Sequence, residues 1–220
     1  MTDRPPPPRD DDPADFERLY ASVRAEVERE RGVRAWLRAL PTPYRAAIVL
    51  VASGVAVAAP AVLMGGAPDG RWGWLMSVAG VTVVAIAATL LCLRPIHDDD
   101  APSPAWLVAL GAAALGSMVL ASDGSLGAVA TPACLMLGAM TGVPTLAVGL
   151  LVDRSPRRNV ALWALAASLT GMTAAQLACP RRGLMHLVVD HFGALLVLAV
   201  VFAGVRLGLA RLEDARRARR

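Results

Sequence analysis

Six apolar runs of 17 to 22 residues dominate this chain: Ala46–Met64, Trp72–Leu93, Ala105–Ala121, Ala133–Val152, Val160–Ala178 and Phe192–Leu209. A helix needs roughly 20 residues to cross the hydrocarbon core of a bilayer, and a helix satisfies its own backbone hydrogen bonds there. Short segments rich in Pro, Asp, Gly and Arg separate the runs, as turns between helices do. The third run is the shortest, and Gly138, Gly142 and Pro144 interrupt the fourth. Hydrophobic residues make up 55% of the chain against 18% charged, and the mean hydropathy is +0.50, values foreign to a soluble domain. The expected fold is all-α. It is a polytopic membrane protein of six transmembrane helices with an N-terminal cytoplasmic amphipathic helix.

The charges orient that fold. Every basic residue is Arg. One side of the membrane receives Arg31, Arg34, Arg38, Arg45, Arg94, Arg154, Arg157, Arg158, Arg206, Arg211, Arg216, Arg217, Arg219 and Arg220. The other receives only Arg71, Arg181 and Arg182. That asymmetry places both termini in the cytoplasm. A formal charge of +4 is therefore read as topology anchoring near anionic lipid, and direct nucleic-acid binding is not expected. A 45-residue charged arm precedes the first run, so no cleavable signal peptide is expected. The organisation is a Pro/Asp-rich lead (1–12), a cytoplasmic helical arm (13–45), a membrane domain (46–210) and a basic tail (211–220).

Within the arm, Asp12-Pro13 followed by Asp15 forms a helix start, with a capping carboxylate, Pro in the first turn and a second acid near the positive dipole end. From there Phe16, Leu19, Tyr20, Val23 and Val27 recur at helical spacing on an otherwise charged helix. Val33, Trp36, Leu37 and Leu40 resume the stripe after Gly32, and Pro41 and Pro43 end it. Residues 1–30 hold nine acids and five Arg, whereas residues 31–45 hold four Arg and no acid. Three coverings compete for the stripe. Lipid suits the basic half near the membrane, with Trp36 and Leu37 at the interface, but the acids repel it from the distal half. Pairing with a second copy asks for longer, more regular heptads. A soluble partner fits best, because an isolated helix of this length is marginal in water and the arm has no second element to cover it.

Few residues are equipped for chemistry. The cysteines are Cys92, Cys134 and Cys179; the histidines are His97, His186 and His191. Spans four and five are joined by the short turn Asp153–Asn159, so they are expected to be antiparallel neighbours with Cys134 and Cys179 at similar depth. In an oxidising compartment the two could pair; equally, each could be a small buried apolar residue. Cys179, His186 and His191 form a C-x6-H-x4-H pattern with Asp190 adjacent, a weak candidate for zinc or copper that matches no standard finger. No cofactor and no small-molecule substrate are expected. There is no C-x-x-C, no phosphate-cradling Gly loop and no charge within the spans beyond the peripheral Asp153, Asp190 and Arg206. An enzyme is therefore not expected. A small transporter or channel, or a membrane enzyme using Cys179 and His191, remains the alternative.

Several of these residues together resemble a family. Thr131-Pro132-Ala133-Cys134, Pro144, the Arg154–Arg158 turn, Gly171, Cys179-Pro180 and the His-bearing loop before span six are similar to the NrsF-like six-span anti-sigma factors. That family includes the CarR-type regulators of light-induced carotenoid synthesis in myxobacteria. Upstream, Leu40–Arg45 resembles its Pro/Arg approach to span one. Where many members carry an aromatic pair in the last outer loop, this chain has Asp190-His191-Phe192. The resemblance implies that the arm binds an extracytoplasmic-function sigma factor and keeps it at the bacterial inner membrane. A stimulus such as light or reactive oxygen would then release it. It also implies that Cys134 and Cys179 are a functional pair.

Overall fold

Pro, Gly and charge divide the apolar runs into separate helices. The computed structural model describes residues 32–64, 72–94, 104–120, 122–126, 132–154, 159–179 and 181–218, together with Glu17, Arg18, Tyr20, Ala21 and Arg24. The described elements are α1 (Val33–Ala39), α2 (Thr42–Met64), α3 (Trp72–Cys92), α4 (Pro104–Leu120), α5 (Pro132–Val152) and α6 (Val160–Ala178). A π-helical turn (His186–Gly193) then runs into α7 (Ala194–Ala218). No strand occurs among the described residues, and the protein is all-helical.

Pro104 and Pro132 open α4 and α5, positions where the missing N–H costs nothing. Pro60 and Pro144 lie inside α2 and α5, which continue through them. The expected interruption of the fourth run is thus absent. Helices in a membrane setting tolerate Pro when neighbouring helices and hydroxyls serve the freed backbone groups. Among the described residues, five helices are long and apolar enough to cross a membrane. The third run forms only the 17-residue α4, about 25 Å of helix against a hydrocarbon thickness of about 30 Å.

α6 is the central helix. Every residue from Leu162 to Gln176 is buried, and α5, α3, α7 and α2 pack around it. Its hydroxyls are satisfied within the helix. Ser168, Thr170 and Thr173 donate to the carbonyls of Ala164, Ala166 and Leu169 at 2.7 to 2.9 Å. The Gln176 carbonyl accepts from Trp74 Nε1 at 3.0 Å. On the outside the pattern is inverted: Val51, Val55, Val83, Met140, Val200 and Leu63 are all exposed. Apolar surface on that scale needs a lipid or protein cover.

Gly138 of α5 and Gly171 of α6 let two backbones meet. A Cβ on Gly171 would overlap the Gly138 carbonyl, and one on Gly142 would sit 2.8 Å from the Ala167 oxygen. The G-x-x-x-G spacing is therefore a packing device.

At the end of the bundle where α5 finishes, charges knit the helices together. Asp153 and Arg206 form a buried ion pair. Arg45 donates to Val152 O at 3.3 Å and Leu40 O at 3.1 Å, and Asn159 Nδ2 to Cys92 O at 2.9 Å. Arg154 reaches back to α1, donating to the carbonyls of Arg38 at 2.6 Å and Leu40 at 3.1 Å. It thereby caps that short helix with a cation at its negative end.

Candidate functional site

At the opposite end, three elements bring four reactive side chains together. Cys134 lies in the first turn of α5, and Cys179 follows the last residue of α6. His186 and His191 lie on the π turn that begins seven residues beyond Cys179. Antiparallel packing of α5 and α6 explains the two cysteines. The two histidines depend on the π winding. An α-helix rotates residues five apart by about 140°, whereas i to i+5 hydrogen bonding stacks them. The rings sit edge to face with centroids 5.0 Å apart. The sequence pattern predicts a loop for these histidines; they belong instead to a helical turn continuous with α7.

The cluster is tight. Cys134 Sγ lies 3.8 Å from Cys179 Sγ and 3.9 Å from His186 Nε2, and Cys179 Sγ lies 3.1 Å from the same nitrogen. One donor atom from each of Cys134, Cys179, His186 and His191 falls within 4.8 Å of all the others. His186 Nδ1 donates to Asp190 Oδ2 at 2.6 Å, which directs Nε2 at the sulfurs. His191 is 0% exposed, and its ring lies against the Cys134 thiol. Backbone bonds tie the approach to the π turn to residues 122–126: the N–H groups of Leu184 and Met185 donate to the carbonyls of Ser125 and Leu126 at 2.7 and 3.0 Å. Outside the helix end, the Cys179 thiol is drawn down to about 6. The Cys134 thiol that donates to it is the main cause, with the Arg181 backbone N–H and charge assisting against burial.

Three chemistries fit such a group: thiol oxidation, nucleophilic catalysis by Cys179 through His186 and Asp190, and ligation of a soft cation. The sequence reading treated Cys134 with Cys179 as one constellation and Cys179, His186 and His191 as another. The structure merges them and adds Asp190 as the partner of His186. Their shared member, Cys179, was the signal for the merger. Cys92 is buried near Asn159 at the far end, and His97 lies outside the described residues.

The arm is described only in part. Phe16, Leu19, Val23 and Val27 lie outside the described residues. Tyr20 is helical and 65% exposed, and Trp36 on α1 is 61% exposed. Leu37 faces the other way, half-buried against the membrane domain's core. Compared with protein-family models, curated proteins and solved structures, the chain matches none.

Proposed function

We propose that this protein is a multi-pass anti-sigma factor of the bacterial inner membrane, with six spans and both termini in the cytoplasm. Its arm holds an extracytoplasmic-function sigma factor away from RNA polymerase, and a stimulus at the Cys/His end of the bundle releases it. The observation that carries the reading is the joint between arm and membrane domain. α1 is docked at its base by Leu37 and by the Arg154 bonds to its last carbonyls, while Trp36 and Tyr20 stand uncovered. An arm fixed at one end with bare aromatic side chains beyond is built to be covered by another protein. Arg counts supply the orientation, and the sequence resemblance supplies the class of partner.

The test is capture by residues 1–45 alone. They are expected to bind the sigma factor and block its transcription in a purified system. Deleting them from the full chain is expected to give constitutive transcription from the target promoters. Flux of a solute through vesicles that survives this deletion, with transcription unchanged, would place the protein among transporters.

A second reading rests on the Cys179–His186–Asp190 geometry, which is that of a cysteine nucleophile, its base and an orienting acid. It accounts for Cys179, His186 and Asp190, with Cys134 donating to the nucleophile, and leaves the buried His191 without a role. Activity abolished by Cys179→Ser but kept without the arm would favour it.

A further inference from the structure

We propose that Cys134, Cys179, His186 and His191 form a closed, four-ligand site for a zinc ion, with Asp190 fixing one of the histidines. The inference stands on the cluster's geometry and holds whatever the arm binds.

Distances come first. Two thiolates bound tetrahedrally to zinc at about 2.3 Å lie about 3.8 Å apart, and a bound imidazole nitrogen lies about 3.6 Å from each. The sulfurs are 3.8 Å apart, and His186 Nε2 is 3.1 and 3.9 Å from them. A disulfide would need the sulfurs at about 2.05 Å. Four donors of two sulfur and two nitrogen atoms, all within 4.8 Å of one another, are the donor set that selects zinc among common divalent ions.

Burial comes second. The ring of the fully buried His191 meets the Cys134 thiol, a weak hydrogen-bond partner, so its desolvation costs free energy unless something stronger occupies the lone pair. A metal does so. His186 already carries the arrangement found behind metal-bound histidines: Nδ1–H donates to a carboxylate, so the Nε2 lone pair faces the site. Neither thiol oxidation nor a catalytic triad uses all these groups.

Charge and protons balance. Both sulfurs bind zinc(II) as thiolates, any remaining thiol proton leaving to solvent, and two thiolates with two neutral imidazoles balance the ion's charge at the end of an apolar bundle. Four protein ligands leave no open position, so the site is of the structural kind that ties elements together. Here it would clamp the start of α5, the end of α6 and the π turn.

The full chain purified in detergent under reducing conditions should contain one zinc per chain by elemental analysis. Cobalt(II) put in its place should show the intense visible bands of tetrahedral thiolate coordination. Cys134→Ser and His191→Gln should each lower bound zinc to below about a tenth of that, while Cys92→Ser should leave it unchanged. Asp190→Asn should retain the site but weaken zinc 10- to 100-fold against a competing chelator, roughly the effect of losing such a partner. Because a ligand variant could simply misfold, the wild-type chain supplies a second measurement. Cys134 and Cys179 should resist maleimide while zinc is bound and react after chelation. Any of three results overturns the proposal: a Cys134–Cys179 disulfide in the reduced, metal-exposed protein, two freely reactive thiols with no zinc, or zinc that survives both ligand substitutions.

Discussion

Asp153 and Arg206 are each almost fully buried, and each neutralises the other where α5 ends against α7. The Arg206 guanidinium also lies over the Trp163 ring, 5.9 Å from its centre. Removing one member of such a pair leaves a charge without compensation, which typically costs about 3–5 kcal/mol. Arg206→Met should therefore lower the midpoint of denaturation in mixed micelles sharply. The double replacement with Asp153→Asn should recover most of the loss. Equal midpoints for Arg206→Met and wild type would mean that the pair contributes nothing. At this scale the sequence was partly legible. A lone Asp and a lone Arg at the edges of apolar runs marked themselves as special, but nothing in their spacing said that they meet. The same holds for Cys134. Its depth was readable from the antiparallel turn, whereas its convergence with His191 required the π winding that no simple periodicity announces.

Among the elements, the α5–α6 crossing has the least slack. Gly171→Val would drive a branched side chain into the Gly138 backbone, which cannot yield as a flexible side chain can. The two helices should separate, and the cost should exceed the 1–3 kcal/mol usual for overpacking. Gly54 offers the contrast, since nothing lies within 4 Å of a Cβ there. Gly54→Val should unfold with the wild type, while Gly171→Val should unfold early and, after chelation, lose crosslinking between Cys134 and Cys179 by a short bis-methanethiosulfonate, which forms a mixed disulfide at each thiol as sulfinate leaves. Helix positions were legible because composition alone decides them: a run such as Val160–Ala178 has no other way to satisfy its backbone in an apolar medium. The centrality of α6 was less so. Its Ser, Thr and Gln make it less apolar than most of its neighbours, yet those small polar residues let it be packed on every side. The start of the last helix was misplaced for a related reason. His186, Asp190 and His191 break the apolar run, so the segment looks like a loop, although Leu187, Val188 and Val189 continue the hydrophobic pattern between them.

Across the whole molecule, α5 links the two places where chemistry is concentrated. It spans about 30 Å, with Cys134 in its first turn and Asp153-Arg154 just past its last. α7 runs beside it, preceded by the two histidines and tied to it by Arg206. Under the proposed function, a change in the Cys/His cluster would reach α1 through α5, whose far end carries Arg154. Arg154 is the last contact in that chain, and its role can be isolated. Removing its guanidinium by Arg154→Ala leaves the carbonyls of Arg38 and Leu40 without their cation but does not touch the packing of α6. Hydrogen exchange of the full chain in lipid discs should then quicken across residues 33–39, by roughly the five- to tenfold expected from losing about 1 kcal/mol of charge-assisted capping. Residues 162–176 should stay protected. Uniform quickening in both segments would show that Arg154 supports the bundle as a whole. No change in either would show that Leu37 alone holds the arm, and the link from cluster to arm would then have to run through apolar packing.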